Sequence, residues 1–344
     1  EPGYYSEVFF KKDRIPESKM FKYWRTDKII NQKKNIGYKE AIVELDEKLT
    51  NIVKNQIFAD VEVGTFLSGG IDSSLITAKA QEVSSKKIKT FCIGVENKNY
   101  DESKYAKDVA NHLSTEHEEL ILSEKSMTEE VPSIIGNLNE PFGDSSFIPT
   151  YFVSKLAKKK VKVVLTGDAG DEIFGGYNRY TQLRNLSKIH ALPRSFKKII
   201  NSSLSNMSEK NINRINLFAK LFPLFKNQFY LNDKIKKLFD RIDPDLNFSD
   251  FIFNFMTNKV DLNLLKNSNT FSKKKIFKIF NQKFSDKKLG KLTLEEKIMY
   301  IDTTAYLPND ILFKVDRASM ANSVETRAPF LDKDLYDFSF SLSI

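Results

Sequence analysis

Phe66-Leu67-Ser68-Gly69-Gly70-Ile71-Asp72-Ser73-Ser74 decides the fold of this chain. Before it, Val63 to Leu67 is rich in strand formers, and after it Leu75 to Ala80 favours a helix. Between the two lies a glycine turn. Gly69 and Gly70 carry no Cβ, so the backbone there can turn sharply and bring its N–H groups close to a ligand. Ser68, Ser73 and Ser74 add hydroxyls, and the start of the helix directs unpaired N–H groups and a positive dipole end at the same place. Phosphate oxygens suit such a site. Asp72 would repel them unless a divalent cation, Mg²⁺ by preference, lies between carboxylate and phosphates. A turn in which Asp72 or Ser73 merely caps the helix gives the same local pattern, and these residues leave both readings open. The pattern Gly-x-x-x-x-Gly-Lys-Ser/Thr is absent from the chain, which disfavours an ordinary phosphate-transferring enzyme and leaves cleavage between the α and β phosphates.

Working outward, helical spacing runs from about Tyr38 to Ile57 and strand formers return at Val63. A helix is expected from Ser73, a strand at Lys89, a helix over Glu102 to Leu113 and a short strand over His117 to Leu122. Phe147 to Lys159 is again helical and Val161 to Leu165 the next strand. Strands alternating with helices of ten or more residues imply an α/β fold with a parallel sheet and flanking helices. Ligands of such sheets bind beyond the carboxyl ends of the strands. Two glycine turns, after Leu67 and after Leu165, fall there and are expected to face one nucleotide.

Ser68 to Ser74 matches the signature of the N-type ATP pyrophosphatases, which adenylate a substrate and release pyrophosphate. Val161-Lys-Val-Val-Leu-Thr-Gly-Asp-Ala-Gly-Asp-Glu-Ile-Phe-Gly-Gly-Tyr-Asn-Arg-Tyr180 resembles the asparagine synthetase family within that group. So does Tyr306-Leu-Pro-Asn-Asp-Ile-Leu-Phe-Lys-Val-Asp-Arg-Ala-Ser-Met-Ala-Asn-Ser-Val-Glu-Thr-Arg-Ala-Pro-Phe-Leu-Asp332. Glu140-Pro-Phe-Gly-Asp-Ser-Ser-Phe-Ile-Pro-Thr-Tyr151 is similar to the family segment that lines the substrate pocket. The resemblance implies the C-terminal synthetase domain of a glutamine-hydrolysing asparagine synthetase, an adenine nucleotide alpha hydrolase-like fold followed by a mostly helical C-terminal part. It implies ATP and Mg²⁺, with L-aspartate converted through β-aspartyl-AMP and ammonia delivered by a glutaminase domain.

By that resemblance Ser68, Gly69, Gly70, Asp72, Ser73 and Ser74 hold the β and γ phosphates, and Asp72 and Asp171 are the metal residues. Leu67 and Ile93 meet the adenosine portion, unless they are plain core strand residues, and Thr166 and Gly167 lie against AMP. Asp168 matches a position that is glutamate in many family members and is implicated in forming the acyl adenylate. Its shorter side chain means either an adjusted pocket or a different acceptor, such as a sugar acid in surface polysaccharide synthesis. Asp72 and Asp168 are thus the candidate catalytic residues. Glu172 reads as a first-turn helix residue. Lys314, Asp316 and Arg317 either neutralise phosphate and organise the pocket or form buried ion pairs with Glu325 or Arg327. His112, His117 and His190 have no metal-ligand spacing.

Domain organisation follows the same comparison. Residues 1–35, with Pro2-Gly3-Tyr4 and Tyr23-Trp24, resemble the tail and connector of a glutaminase domain, and residues 36–344 form the synthetase domain. Within it, 36–180 is the nucleotide-binding α/β core, 181–289 a basic helical segment and 290–344 a motif region after which the family continues with a lysine that assists adenylation. The segment 181–289 holds no glycine, half of the 28 Phe, and 22 Lys and Arg against 8 Asp and Glu, so it supplies the whole of the chain's net charge of +9. Phe271-Ser-Lys-Lys-Lys-Ile-Phe-Lys-Ile-Phe280 reads as an amphipathic helix with solvated lysines, and nucleic acid is not the expected partner. A tRNA-modifying pyrophosphatase would share the first loop but lack the two later blocks. With 41% hydrophobic and 29% charged residues, no long apolar run and no signal-peptide pattern, the expectation is a cytoplasmic enzyme without a membrane, with a homodimer left open. Cys92, the single cysteine, sits in a strand of core residues.

Overall fold

Val63–Phe66 is the hub of a five-stranded sheet whose strands all run parallel. A computed structural model describes residues 3–10, 17–24, 30, 32–98, 101–136, 138–191, 193–195, 248–256, 278, 280, 282 and 289–343. In chain order it gives a hairpin of β1 (Tyr4–Phe9) and β2 (Glu17–Lys22), then α1 (Tyr38–Gln56), β3 (Val63–Phe66), α2 (Ile71–Val83) and β4 (Lys89–Val95). Next come α3 (Ser103–Leu113), β5 (Glu116–Leu122), α4 (Glu124–Gly136), α5 (Phe147–Ala157), β6 (Val163–Leu165) and α6 (Gly170–Phe174). The chain falls into two units, Glu1–Gly176 with Met299–Ile344, and Tyr177–Ile298. Helices α7 (Asn178–His190) and α8 (Phe248–Met256) belong to the second, where the His190 ring stacks 4.8 Å from Phe251. Helix α9 (Leu294–Ile301) leads into a ten-residue π-helix, Asp302–Ile311, then α10 (Leu312–Met320), β7 (Glu325–Arg327), a 3₁₀ turn at Pro329–Leu331 and α11 (Lys333–Ser341). The pattern read at 271–280 lies outside the described residues apart from 278 and 280.

The sheet order is β5-β4-β3-β6-β7, so the chain moves outward from β3 in one direction and then returns to its other side. The order reverses between β3 and β6, which is where doubly wound sheets open a crevice. Both faces are covered. On β4, Phe91 packs with Leu156, Ala157, Val161 and Val164, while its neighbour Cys92 packs with Leu67, Ala106 and Ala110 of the other face. Period-two alternation puts consecutive residues on opposite faces, so a strand buried on both sides reads as the continuous apolar run seen in Thr90-Phe-Cys-Ile93.

The α/β expectation holds, with two shifts near the site. Helix α2 begins at Ile71, not Ser73, because extended Gly70 (φ −70°, ψ 163°) already places its carbonyl to accept the Ser74 N–H at 3.0 Å. Asp72 therefore sits in the first helical turn. Strand β6 keeps only Val163–Leu165. Several elements had no sequence reading: the β1–β2 hairpin, α4, the π-helix and β7. Strand β7 is three polar residues whose extended form comes from pairing with β6, Val163 opposite Glu325 and Leu165 opposite Arg327. In the π-helix, Pro308 has no N–H to give, and the wider turn accommodates it. No helix among the described residues is long and apolar enough to cross a membrane.

Arg327 pins edge strand β7 to the end of α1, donating from Nη1 to the carbonyls of Gln56 (2.6 Å) and Phe58 (3.0 Å). Charge-assisted hydrogen bonds are worth about 1.5–3 kcal/mol, less where partly solvated. Arg327→Ala should therefore lower the unfolding free energy of this unit by about 1–2 kcal/mol. The fluorescence of Trp24, the chain's one tryptophan, packed 4.9 Å from the Tyr336 ring, reports it in equilibrium urea unfolding.

Candidate functional site

The loop after β3 closes on itself before any ligand is considered. Gly69 adopts φ +81°, a conformation that costs a residue with a Cβ about 1–2 kcal/mol. It also runs so close to α3 that a Cβ would lie 2.6 Å from the backbone at Tyr105 and Ala106. Ser73 Oγ accepts from the Ser68 N–H (3.2 Å) and shares a hydrogen bond with Ser68 Oγ (3.0 Å). Beneath the loop, Thr77 donates to the Ser73 carbonyl (2.8 Å) and meets Thr65 of β3 at 3.0 Å, both hydroxyls fully buried. The first turn of α2 is thereby bolted to the strand that precedes it.

The second glycine turn, after β6, presses directly on the first. A Cβ at Gly167 would stand 2.7 Å from the backbone nitrogen of Ser73, and one at Gly170 would stand 2.5 Å from the carboxylate of Asp72. Between them Ala169 is held at φ 78°, a left-handed conformation rare for alanine and fully enclosed by protein. This turn delivers Asp168 and Asp171 to Asp72. Burial, then the charges of Asp171 and Asp168, push the Asp72 carboxyl up to about 6. Asp168 touches the cavity but is otherwise surrounded by protein, and burial raises it too. The Thr166 hydroxyl and the Lys314 ammonium act in the opposite sense, although Thr166 makes no hydrogen bond of regular geometry.

These groups line a cavity of about 960 Å³ at the carboxyl ends of β3, β4 and β6. Leu67, Ser68, Gly70, Asp72, Ser73, Ile93, Thr166, Gly167, Asp168 and Asp171 all border it, as the sequence reading expects. Gly69 and Ser74 shape the loop behind them. Leu67 is also a core residue, 1% exposed, so its side chain serves both readings. Glu172 is buried in α6. Cys92 lines the cavity as well, where burial pushes its thiol up to about 12 and keeps it uncharged. The sequence reading missed Glu102 and Phe174. Pro149 and Thr150 fall in the segment singled out by resemblance, but Glu102 and Phe174 carry no local signal.

Lys314 settles an open question. It pairs with neither Glu325 nor a neighbour of Arg327; its ammonium lies 3.3 Å from Asp144 and 2.9 Å from Ser146 Oγ, and it borders the cavity. Asp316 and Arg317 meet each other at 3.9 Å on the surface, and Arg327 pairs with Glu325.

Mg²⁺ fits this arrangement in one specific sense. Among the described residues no group of three or more Asp, Glu, His or Cys forms a ready cage. Mg²⁺ usually takes one or two carboxylates plus phosphates and water, and a carboxylate raised by burial and by neighbouring carboxylates, as Asp72 is by Asp171 and Asp168, is a donor such a cation relieves.

Residues 44–344 match the family model described as asparagine synthase. The chain belongs to the asparagine synthase family. It is similar to asparagine synthetase [glutamine-hydrolyzing] 1 of Bacillus subtilis, 32% identical over 304 residues that make up 87% of this chain and 43% of the relative. A putative asparagine synthetase [glutamine-hydrolyzing] 2 of Methanocaldococcus jannaschii is 36% identical over 236 residues, 67% of this chain and 44% of the relative. A putative asparagine synthetase of Mycobacterium tuberculosis is 27% identical over 85% of the chain and 41% of its own length. The chain thus spans less than half the length of these curated relatives.

Two outcomes follow from the crowded carboxylates. A carboxyl raised from 3.8 to about 6 favours the fold at low pH, and that contribution is lost as pH rises through about 6. Ligand-free Asp72→Asn should therefore be more stable than the parent by roughly 1–2 kcal/mol at pH 7.5, after discounting for solvent, and the gap should close toward pH 4 in thermal melts. The two glycines should separate. Gly170→Ala meets first the movable Asp72 carboxylate and should leave stability nearly unchanged in the same thermal melts. Gly167→Ala meets backbone and should cost about 1–3 kcal/mol of stability.

Proposed function

We propose that this chain is the ATP-cleaving, amide-forming part of a ligase that converts L-aspartate to L-asparagine. The observation that carries the reading is the convergence of Asp72, Asp168 and Asp171 on two interlocked glycine turns at the switch point of the sheet. Family membership supplies the reaction class.

In this reading the adenine end of ATP lies against Leu67 and Ile93, and the triphosphate runs over the loop from Ser68 to Ser74 toward the first turn of α2. There unpaired N–H groups and the helix dipole favour negative charge. Asp72 and Asp171 would hold Mg²⁺, which when bound neutralises charge on the phosphate oxygens. An oxygen of the aspartate β-carboxylate attacks the α-phosphorus; the new P–O bond forms as the bond to the α–β bridging oxygen breaks, and pyrophosphate leaves. Ammonia then attacks the carbonyl carbon of β-aspartyl-AMP, loses a proton, and AMP leaves with the former carboxylate oxygen. Asp168, whose carboxyl is raised by burial, is the group this reading assigns to orient the acceptor. Among the described residues that line the cavity, Lys314 is the one basic side chain facing four acids, Asp72, Glu102, Asp168 and Asp171. A carboxylate acceptor needs that charge. Ammonia delivered from a glutamine-hydrolysing domain completes the scheme, a proposal supported by the printed names of the relatives and their greater length.

Pyrophosphate release from MgATP by the full gene product tests this. It should require L-aspartate, be supported by ammonium or glutamine, and fall at least 100-fold in Asp72→Ala, since losing a metal-holding carboxylate at a phosphate site removes several kcal/mol of charge stabilisation. Release driven only by a different carboxylate would keep the site and overturn the substrate.

A further inference from the structure

Lys314 can serve an acceptor only if its flexible ammonium is held in place, and the structure shows what holds it. Ser146, the residue before α5, donates its N–H to Asp144 Oδ1 at 2.9 Å and its hydroxyl to the same carboxylate at 2.7 Å. The Ser146 oxygen in turn accepts from Lys314 Nζ at 2.9 Å, and Asp144 Oδ2 stands 3.3 Å from the same nitrogen. Ser146 Oγ and Asp144 Oδ2 take two of the three Lys314 N–H donors, which leaves the third for a ligand oxygen. Lys314 and Ser146 lie 168 residues apart in the chain, and the side chains of Lys314 and Asp144 are only 12% and 21% exposed.

The relay is not needed to pack its two helices. Helix α10 is fastened to α5 by Ala318 in the apolar cluster with Tyr151 and Phe152, and by Asn322 donating to the Tyr151 carbonyl at 3.1 Å. The Phe142 ring bridges Phe313 at 5.0 Å and Phe147 at 5.9 Å. What the polar relay adds is a fixed position for one positive charge beside a cavity rich in acids. Besides Asp144 and Asp168, Asp310 is a carboxylate coupled to Lys314, and it feels the charge of Asp144 as well. Without Asp144 it is the group that would draw the ammonium away.

We infer that Asp144 and Ser146 are positioning residues that hold the Lys314 ammonium on the Asp168 side of the cavity and thereby set affinity for the carboxylate acceptor, an inference that rests on the ligase reading above. Neither residue borders the cavity, so both act through Lys314.

The test compares Asp144→Asn and Ser146→Ala with the parent in the full gene product, by steady-state pyrophosphate release and by acetylation of Lys314 with sulfo-NHS-acetate, followed by peptide mass spectrometry without substrates. Asp144→Asn should raise the KM for the acceptor about tenfold and Ser146→Ala about threefold, with the KM for ATP changed less than about twofold, as expected for loss of one charge-assisted contact. Lys314 should acetylate several-fold faster in Asp144→Asn, at an unchanged melting temperature. An unchanged acetylation rate, or acceptor and ATP KM rising together with a fall in melting temperature, overturns the proposal in favour of a purely structural pair. If the parent cleaves ATP with no carboxylate at all, the ligase reading falls, and the acetylation rates still decide whether Asp144 and Ser146 hold Lys314.

Discussion

The close approach of Gly167 to the backbone nitrogen of Ser73 is the constraint on which the rest of this structure depends. It can exist only because β3 and β6 are sheet neighbours while their connections leave in opposite directions, so two loops about a hundred residues apart emerge at one crevice. Each loop is rigid before they meet. The first is tied down by Ser68, Ser73 and the buried Thr65–Thr77 pair, and the second is wound tightly enough to hold Ala169 at a left-handed angle. Local strain that persists in such a place must be over-determined by its surroundings, and here the surroundings are the opposing loop.

The electrostatics of the crevice run against stability. Burial, then the neighbouring Asp171 and Asp168, raise Asp72, and among the described residues that line the cavity Lys314 of α10 is the one ammonium. Such a site costs folding free energy that the apolar clusters on both faces of the sheet must offset. On the function proposed above, a polyphosphate with its cation would bring both signs of charge to it. The lone cysteine that lines the cavity stays protonated because it is buried, with the charges of Glu119, Asp101 and Glu102 adding to the effect.

Distance in sequence has little bearing on distance in the site. Asp144 and Ser146 precede α5, Lys314 lies in α10, and Arg327 reaches from the edge strand to the end of α1. The helices that carry these groups are secured by ordinary apolar packing. Their polar groups are thereby free to be specialised for orientation.

The α/β class, the parallel sheet and the strand–glycine turn–helix form of both loops were legible in residues 63–80 and 161–180, because strand formers, glycines and a helix start leave few alternatives over so short a span. The residues of both turns were legible for the same reason. Tertiary structure decided how the two turns meet. That Gly167 and Gly170 must lack a Cβ is a fact about Ser73 and Asp72, not about their own neighbours. Tertiary structure also decided the partner of Lys314, which a list of nearby charges in the sequence could not choose among, and the existence of β7, whose three polar residues become a strand only by pairing with β6. Local sequence governs backbone conformation through sterics and hydrogen bonding within a few residues; which charges share a low-dielectric crevice is set by strand order, and strand order is a property of the whole packed sheet.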